Sequence, residues 1–596
     1  MPGPASGQDL SATGADWQYN PPAPHLAEGL VEATGMPLAL AIALAGRGIT
    51  KDNAASWLAP KIRDLMPDPS ILTDMDKAVD RLMVAVQSGE MIGIFGDYDV
   101  DGASSAAVLH DILTPLGCEV SIHIPDRFSE GYGPNLPALE KLKAQGCSLI
   151  VTVDCGITAN GPIAATVEAG VDVIIIDHHI AGPDLPQALA VVNPNRLEDD
   201  GRYGYLAAAG VCFLVMAGLL RGLRQQGYFK DKPEPKLMAS LDLVALATVA
   251  DVVPMSGLNR AYVRSGLQVM AGRERFGLAA LADVARMTNA PDAYALGFLL
   301  GPRINAGGRI GHSSLGVNLM TSGDQSEAER LAAELDALNT QRKTIEQDVT
   351  AAAIAQIEQR YGDGELPPVI MAAGEDWNQG VIGISAGRLK EYFDRPAAVI
   401  SISTTADGQK IGKASARSVA PFQLGAAVIA ANQHGLLEAG GGHDMAAGFT
   451  INMDKIEPFQ DFMISRARAD FGGDAPARQI TIDAPLSPQA ADLGLLDWMD
   501  QAGPYGTGFE NLTFLLNGVT LSPVRKIGKE QNHMALAISD GIARLDGIAF
   551  NVAGTALGDA LLSASDGRPI QIIGRLNRNR FRDWVTPQLV ISDIKI

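Results

Sequence analysis

The chain has 596 residues, 47% of them hydrophobic and 19% charged, a balance that suits several folded domains and excludes a disordered polymer. Its formal net charge of −21 argues against binding nucleic acid through bulk charge alone, yet local basic patches can still do so. Four scattered cysteines (Cys118, Cys147, Cys155, Cys212) form no Cys-x-x-Cys pair, which excludes a zinc knuckle and a disulfide framework.

Residues 1–24 are rich in proline and read as a loose tail. No basic and apolar leader is visible, and the apolar runs are interrupted well short of a membrane span. A cytoplasmic protein without membrane contact is therefore expected. Leu26 to Leu72 is helical in pattern, broken at Pro60, Pro67 and Pro69.

From Met91 to Val192 short β-rich runs alternate with helical stretches, the signature of a parallel sheet. Three runs end in chemistry. Ile92-Gly-Ile-Phe95 delivers Asp97, Asp99 and Asp101 at alternate positions before Gly102; Leu149–Val153 delivers Asp154; Val173–Ile176 delivers Asp177, His178 and His179. Acids and imidazoles gathered at the carboxyl ends of parallel strands suit a hard divalent cation, and the lack of thiols favours Mn2+ or Mg2+ over structural zinc. Any single such Asp is as often a helix cap as a ligand. Asp251, after a helix from Lys236 to Thr248, offers another carboxylate. His110 and His123 stand apart and read as ordinary helix or loop residues. Leu206 to Leu223 reads as a buried helix.

Asp324 to Arg360 contains no Gly or Pro, and Asp324 with Glu327 makes a capping-box start. Leu331, Leu335, Leu338, Ile345 and Val349 recur near heptad spacing, interrupted by Arg342, so one long helix joining two domains is predicted. Strands follow at Val369–Met371 and Ala397–Ile402. Beyond Gln479 short β-like stretches suggest a small barrel. Arg575, Arg578, Arg580 and Arg582 interleave there with Phe581 and Trp584, a mixture that fits a groove for single strands or a charged hairpin edge.

Four segments now acquire a common meaning: Gly96-Asp-Tyr-Asp-Val-Asp-Gly102, Val153-Asp-Cys-Gly156, Asp177-His-His179 and Ala250-Asp-Val-Val-Pro254. Together they resemble the four motifs of the DHH phosphoesterase superfamily. Gly301–Arg309, Trp377–Gly383 and Gly440–His443, with the terminal barrel, add a likeness to its single-stranded-DNA-specific exonucleases, from roughly Leu72 onward. The resemblance implies an α/β fold: a parallel-sheet DHH domain (72–323) after an N-terminal tail and helical segment (1–71). A connecting long helix (324–365), a second α/β DHH-associated domain (366–460) and an OB-like β-barrel (461–596) follow. It implies 5′-to-3′ release of mononucleotides in DNA repair and recombination. Two ions, Mn2+ or Mg2+, are implied on Asp99, Asp101, Asp154, His178 and Asp251. Asp97 would join them or orient water, His179 would touch metal or phosphate, and Asp177 would fix a histidine tautomer.

Arg303, Asn305 and Arg309 are implied on the substrate, with Ser415 and Arg417 for a terminal phosphate and His443 after three glycines. Arg127 and Tyr132 either line the strand channel or belong to a plain loop. Asn378 departs from the family pattern, as does the Pro504–Asn511 turn. The implied partners are single-stranded DNA, a single-strand-binding protein and a helicase, with a monomer expected. The competing enzyme reading is a phosphodiesterase for short oligonucleotides or cyclic dinucleotides. A binding protein with a relic site would have no need to keep mutually repelling acids together.

Overall fold

The structure, a computed structural model, describes residues 11–127, 129–362, 364–405, 408–473, 475–582 and 584–596. They form two compact units: Pro67–Val253 with Tyr262–Pro476, and the chain up to Met66 with Pro254–Ala261 and Ala477–Ile596.

The first unit opens with five parallel strands, β1 (Met91–Gly96), β2 (Glu119–His123), β3 (Leu149–Val153), β4 (Asp172–Ile176) and β5 (Ala190–Val192). Their order is β2-β1-β3-β4-β5. Every residue of β3 is buried, as are Ile92 to Gly96 of β1, because helices cover both faces of such a sheet. The order reverses at β1 and β3, which opens a crevice beyond their carboxyl ends.

Helices α1 (Val100–Leu113), α2 (Ala208–Gln225) and α3 (Leu241–Ala250) pack together, and α1 and α2 pack against this sheet. Among the described residues α2 alone is long and apolar enough to cross a membrane, but it is mostly buried against α1 and is a core helix. Helix α4 (Gly301–Ile310) precedes α5 (Gln325–Tyr361), the long helix that the sequence predicts. Asp324 caps α5 by accepting the Glu327 amide at 2.8 Å.

The heptad-like stripe of α5 serves two cores. Ala328, Leu331, Ala332 and Leu335 are buried in its first half, and Val349, Ala353 and Ile357 in its second. Between them lies a buried polar section in which Arg342 donates to Asn339 (2.8 Å) and pairs with Glu346. The second half packs on β6 (Ile370–Glu375) and α6 (Ile382–Phe393). With β7 (Ala397–Thr404), β8 (Lys410–Arg417), β9 (Ala439–His443) and β10 (Ala446–Asn452), β6 makes a sheet ordered β9-β10-β8-β7-β6.

The second unit centres on β11 (Phe514–Leu521), β12 (His533–Ser539), β13 (Arg544–Ala549), β14 (Ile570–Phe581) and β15 (Trp584–Lys595). β11 pairs with β14 and β12, β12 with β13, β13 with β15, and β15 with β14. That circuit closes, so these five strands form the small barrel expected of an OB fold.

The expected loose tail needs correction. Met1–Ser6 lies outside the described residues, but Asp16–Tyr19 is a strand paired in parallel with Gln479–Ile482. The neighbouring prolines hide it, and its partner is remote in sequence. The tail is also tied to the chain's far end. Fully buried Asp593 accepts the Thr13 amide (3.1 Å), the Thr13 hydroxyl (2.7 Å) and the Trp17 indole N–H (3.0 Å). Asp593→Ala strands these donors and should cost about 2–3 kcal/mol. Urea unfolding checks this, and an unchanged midpoint for this unit would contradict it.

Arg260 explains why Pro254–Ala261 belongs here. Its buried guanidinium lies 3.8 Å from the Trp57 ring centroid and donates to the carbonyls of Ala502 (2.8 Å), Gly503 (3.0 Å) and Pro504 (3.0 Å).

Candidate metal centre

Each strand end delivers its acid through a defined turn. After β1, Asp99 caps α1 by accepting the amides of Asp101 (2.8 Å) and Gly102 (3.1 Å). A Cβ at position 102 would lie 2.4 Å from the Asp97 carbonyl oxygen, so only glycine fits this close approach. Asp101, in the first turn of α1, accepts the amides of Ala208 (2.7 Å) and Ala209 (2.8 Å). Those are first-turn N–H groups of α2 with no partner inside their own helix, at the positive end of its dipole.

Beyond β3, Asp154 takes left-handed backbone (φ 60°) and donates its amide to the Ile176 carbonyl at 3.0 Å. Beyond β4, Asp177 is fully buried and accepts the amides of Ile157 (3.1 Å), His178 (2.8 Å) and His179 (3.1 Å), and Nδ1–H of His179 (2.7 Å). Asp251 follows the last turn of α3.

These ends converge. Nε2 of His178 lies 3.3 Å from Asp154, 3.6 Å from Asp251 and 3.9 Å from Asp101. Its Nδ1 sits 3.1 Å from the Leu206 carbonyl, which can only accept, so the proton belongs on Nδ1 and Nε2 presents a lone pair to the acids. Three donor sets each keep their ligand atoms within 4.8 Å: Asp101, His178 and Asp251; Asp154, His178 and His179; Asp97, Asp99 and Asp154. Asp154 and His178 each belong to two of these sets.

Without cations the acids suffer. Burial, then neighbouring carboxylates, push Asp97, Asp101 and Asp154 above the usual range and Asp251 to about 9. Burial opposes charge on His179, but the bond to Asp177 and the surrounding acids raise it to about 9. Burial also works against Asp177, yet His179 and the backbone amides hold it below its usual value. Asp97 keeps one buried carboxylate oxygen with no hydrogen-bond partner. Hard oxygens, imidazoles and an orphaned buried oxygen suit Mn2+ or Mg2+. The nearby Cys155 thiol, pushed up by burial, is no thiolate competitor.

The sign of the pH effect follows. Asp251 binds its proton more tightly in the fold than in the unfolded chain, where about 3.9 is ordinary. Its contribution is therefore fully present below about pH 4 and lost as pH rises toward 9. Chelator-treated protein should melt at lower temperature at pH 8.5 than at pH 6, and Mn2+ should restore more at the higher pH. Melting curves with and without Mn2+ test this; a flat cation-free profile would refute it.

The substrate candidates divide. Asn305 accepts the Val100 amide at 3.2 Å and so holds the acidic loop. Arg309 donates to the Gly380 carbonyl (2.9 Å); burial, then Arg127 and Arg342, lower it to about 10. Arg417 donates to the Ser415 hydroxyl (3.1 Å), and burial and Arg127 lower it too. Arg127 lies 5.2 Å from the Tyr98 ring centroid, and its charge is felt by both Arg309 and Arg417. Tyr132 reaches His179, with its hydroxyl 3.4 Å from Nε2. His443 is exposed at the end of β9.

Arg303 departs from its expected place on a phosphate. It is buried, pairs with Asp336 of α5 (2.9 Å) and donates to the Leu299 carbonyl (2.7 Å), which braces one helix on another. His123 is paired with Glu130 and His110 lies 3.9 Å from Asp111, both away from the cluster. Asn378 accepts the Gly380 amide (2.8 Å) and shapes its turn. In the barrel unit Arg578 is held by Asp497 and Asp500, whereas Arg575, Arg580, Arg582, Phe581 and Trp584 are exposed. Sequence reading passed over Tyr98, Leu206 and the α2 N-terminus. Only Tyr98, set between two acids, carried a visible signal.

Comparison with known proteins adds an independent line. The DHH family N-terminal domain matches residues 91–248, the DHHA1 domain 366–469 and the RecJ OB domain 482–593. The single-stranded-DNA-specific exonuclease RecJ of Salmonella typhimurium is 36% identical over 559 residues, 92% of this chain and 94% of its own. That of Bacillus subtilis is 33% identical over 587 residues, 97% of this chain and 71% of its own. Among solved structures, RecJ of Thermus thermophilus in complex with Mn2+ superposes with a TM-score of 0.81 at 27% identity, covering 99% of this chain and 80% of that one.

Proposed function

The chain belongs to the RecJ family of single-stranded-DNA-specific exonucleases, and from that premise we propose that it releases mononucleotides from the 5′ end of unpaired DNA. The observation that carries this reading is the three overlapping donor sets at the sheet's switch point, two of which share Asp154 and two of which share His178. Asp99, Asp101, Asp154, His178 and Asp251 would hold two divalent cations, with Asp97 as a further ligand or water anchor. When bound, such ions activate water, clamp phosphoryl oxygens and stabilise the leaving oxygen. His179, whose Nδ1–H is held by Asp177, would contact a cation or the scissile phosphate through Nε2, while Asp101 is held in place by the α2 amides.

Arg309, Ser415 and Arg417, joined by Arg127, form the anchor for a terminal phosphate. Arg417 and the acids belong to one compact unit, which supports a set spacing from anchor to cluster and the release of one nucleotide per cut. The barrel supports long strands over short oligonucleotides as substrate, with Phe581 and Trp584 exposed for stacking. Domain limits follow the same reading: 72–323 catalytic, 324–365 connecting helix, 366–460 DHH-associated and 461–596 barrel. We also propose a monomer working in the cytoplasm in repair and recombination. A helicase would free the strand and a single-strand-binding protein would hold it.

The test digests DNA labelled at either end, single- or double-stranded, with Mn2+, Mg2+ or chelator. Release from the 5′ end of single strands, abolished by chelator, is expected; release from the 3′ end would overturn the polarity. Arg417→Ala should raise KM about tenfold for 5′-phosphorylated strands and far less for 5′-hydroxyl ones. Equal penalties would remove Arg417 from the anchor.

A further inference from the structure

Two exposed aromatic rings stand beside helix α3 and take no part in the site described above. Tyr294 is 62% and Phe298 66% exposed, far from the burial such side chains usually seek. They are four residues apart, and their rings stack with centroids 4.9 Å apart and planes within 22°. Phe298 lies within, and Tyr294 immediately precedes, a π-helix, Ala295–Leu300, a rare conformation that accumulates at functional sites.

That turn is firmly built. Ala295, Leu296 and Leu300 are buried beneath it. Arg303 donates to the Leu299 carbonyl (2.7 Å) and pairs with Asp336 (2.9 Å), so a long polar side chain braces the turn from behind. The turn is also continuous with the catalytic cluster. A Cβ at Gly297 would lie 3.3 Å from a Val249 methyl, and one at Gly301 3.4 Å from Ala250. The next residue, Asp251, approaches His178 at 3.6 Å. Val252 then turns outward, 64% exposed, through left-handed backbone (φ 61°) that a β-branched residue rarely adopts.

We propose that Tyr294 and Phe298 form a stacking platform for an unpaired nucleobase of the strand being degraded. The inference rests on the single-strand exonuclease reading and adds a base-binding position to it. Every base has a π-face, so a flat aromatic pair grips a strand without reading its sequence. A duplex cannot use the platform in the same way, because its internal bases are already covered on both faces. The platform therefore adds to single-strand selectivity through attraction and not only through the width of the cleft. A base seated here also fixes the strand near Asp251, so the gain appears in substrate binding.

The test uses full-length protein with Mn2+ and 5′-phosphorylated oligonucleotides carrying a single abasic site, moved one position at a time from the 5′ end. In wild type one position should raise KM on the order of tenfold, the value of one base–aromatic stack. Tyr294→Ala with Phe298→Ala should raise KM by a similar factor for intact strands, with the loss in KM and not in kcat. In that variant the same abasic site should cost nothing further, and Tyr294→Phe with Phe298→Trp should restore wild-type behaviour. Both residues are exposed, so the alanine variant keeps its fold, which its melting curve checks. An unchanged KM in the alanine variant, or an abasic penalty equal to that of wild type, overturns the platform and leaves the aromatic pair as a docking point for a protein. Wild type that digests no single strands would overturn the underlying activity instead, and this inference with it.

Discussion

Asp154→Asn should abolish nuclease activity and, in the same protein, raise the melting temperature measured without cations. The two effects share one cause. Asp154 is buried, and burial together with Asp101, Asp99, Asp97 and Asp251 makes its charged form costly. An amide of the same shape removes that repulsion. Asparagine also tolerates the left-handed backbone at this position (φ 60°), so the turn after β3 survives. What is lost is the carboxylate shared by two donor sets, on which the proposed binding of both cations depends. A fall in kcat of more than ~10³ is expected at saturating Mn2+. Wild-type Tm should respond strongly to Mn2+, and that of the variant weakly. Near wild-type turnover would exclude the proposed role, and a lower cation-free Tm would refute the repulsion argument. Activity and stability are set against each other at this carboxylate.

Legibility in the sequence followed the range of each interaction. β1, β3 and β4 announced themselves because strands buried on both faces read as unbroken apolar runs, and the acids at their ends stood out against them. Helix α5 was equally plain: a cap at Asp324 and a long stretch without Gly or Pro require only local reasoning. The convergence of Asp101, Asp154 and His178 was suggested by the repetition of one local event at three strand ends, whereas Asp251 follows a helix and joined them through the family resemblance. Other features depend on partners far along the chain, and no periodicity reveals them. The strand Asp16–Tyr19 pairs with residues near 480, and Arg260 caps carbonyls near 503. Arg303 shows the same limit from the opposite side. An arginine in a Gly-rich segment looks ready for phosphate, but its fate was decided by Asp336 on another helix. The Leu206 carbonyl, which sets the His178 tautomer, belongs to the backbone and has no residue-type signature at all.

Asp177→Asn should lower kcat/KM by about 10–100-fold although Asp177 belongs to none of the three donor sets. Asp177 is an acceptor on every side: three backbone amides and Nδ1–H of His179 point at its carboxylate. An asparagine must turn its own N–H2 toward one side, which releases either the Ile157 amide in the loop after β3 or the His178 and His179 amides together with the His179 ring. The ring also loses its principal charge partner. In cation-free wild type, burial works against the charge on His179, but the bond and charge of Asp177, with Asp251 and Asp97, together raise it to about 9. With the partner neutral, that support is gone and its midpoint should fall toward or below the ordinary value near 6.5. The sign is therefore fixed: both proteins carry the imidazolium at pH 5, and only wild type carries it at pH 8. Imidazole titration by NMR on the cation-free proteins should show the drop directly. The activity gap between wild type and variant should widen as pH rises from 6 to 8.5. Coincident titration curves would show that Asp177 does not set the His179 charge. A variant with undiminished kcat/KM would show that His179 needs no such support for the reaction.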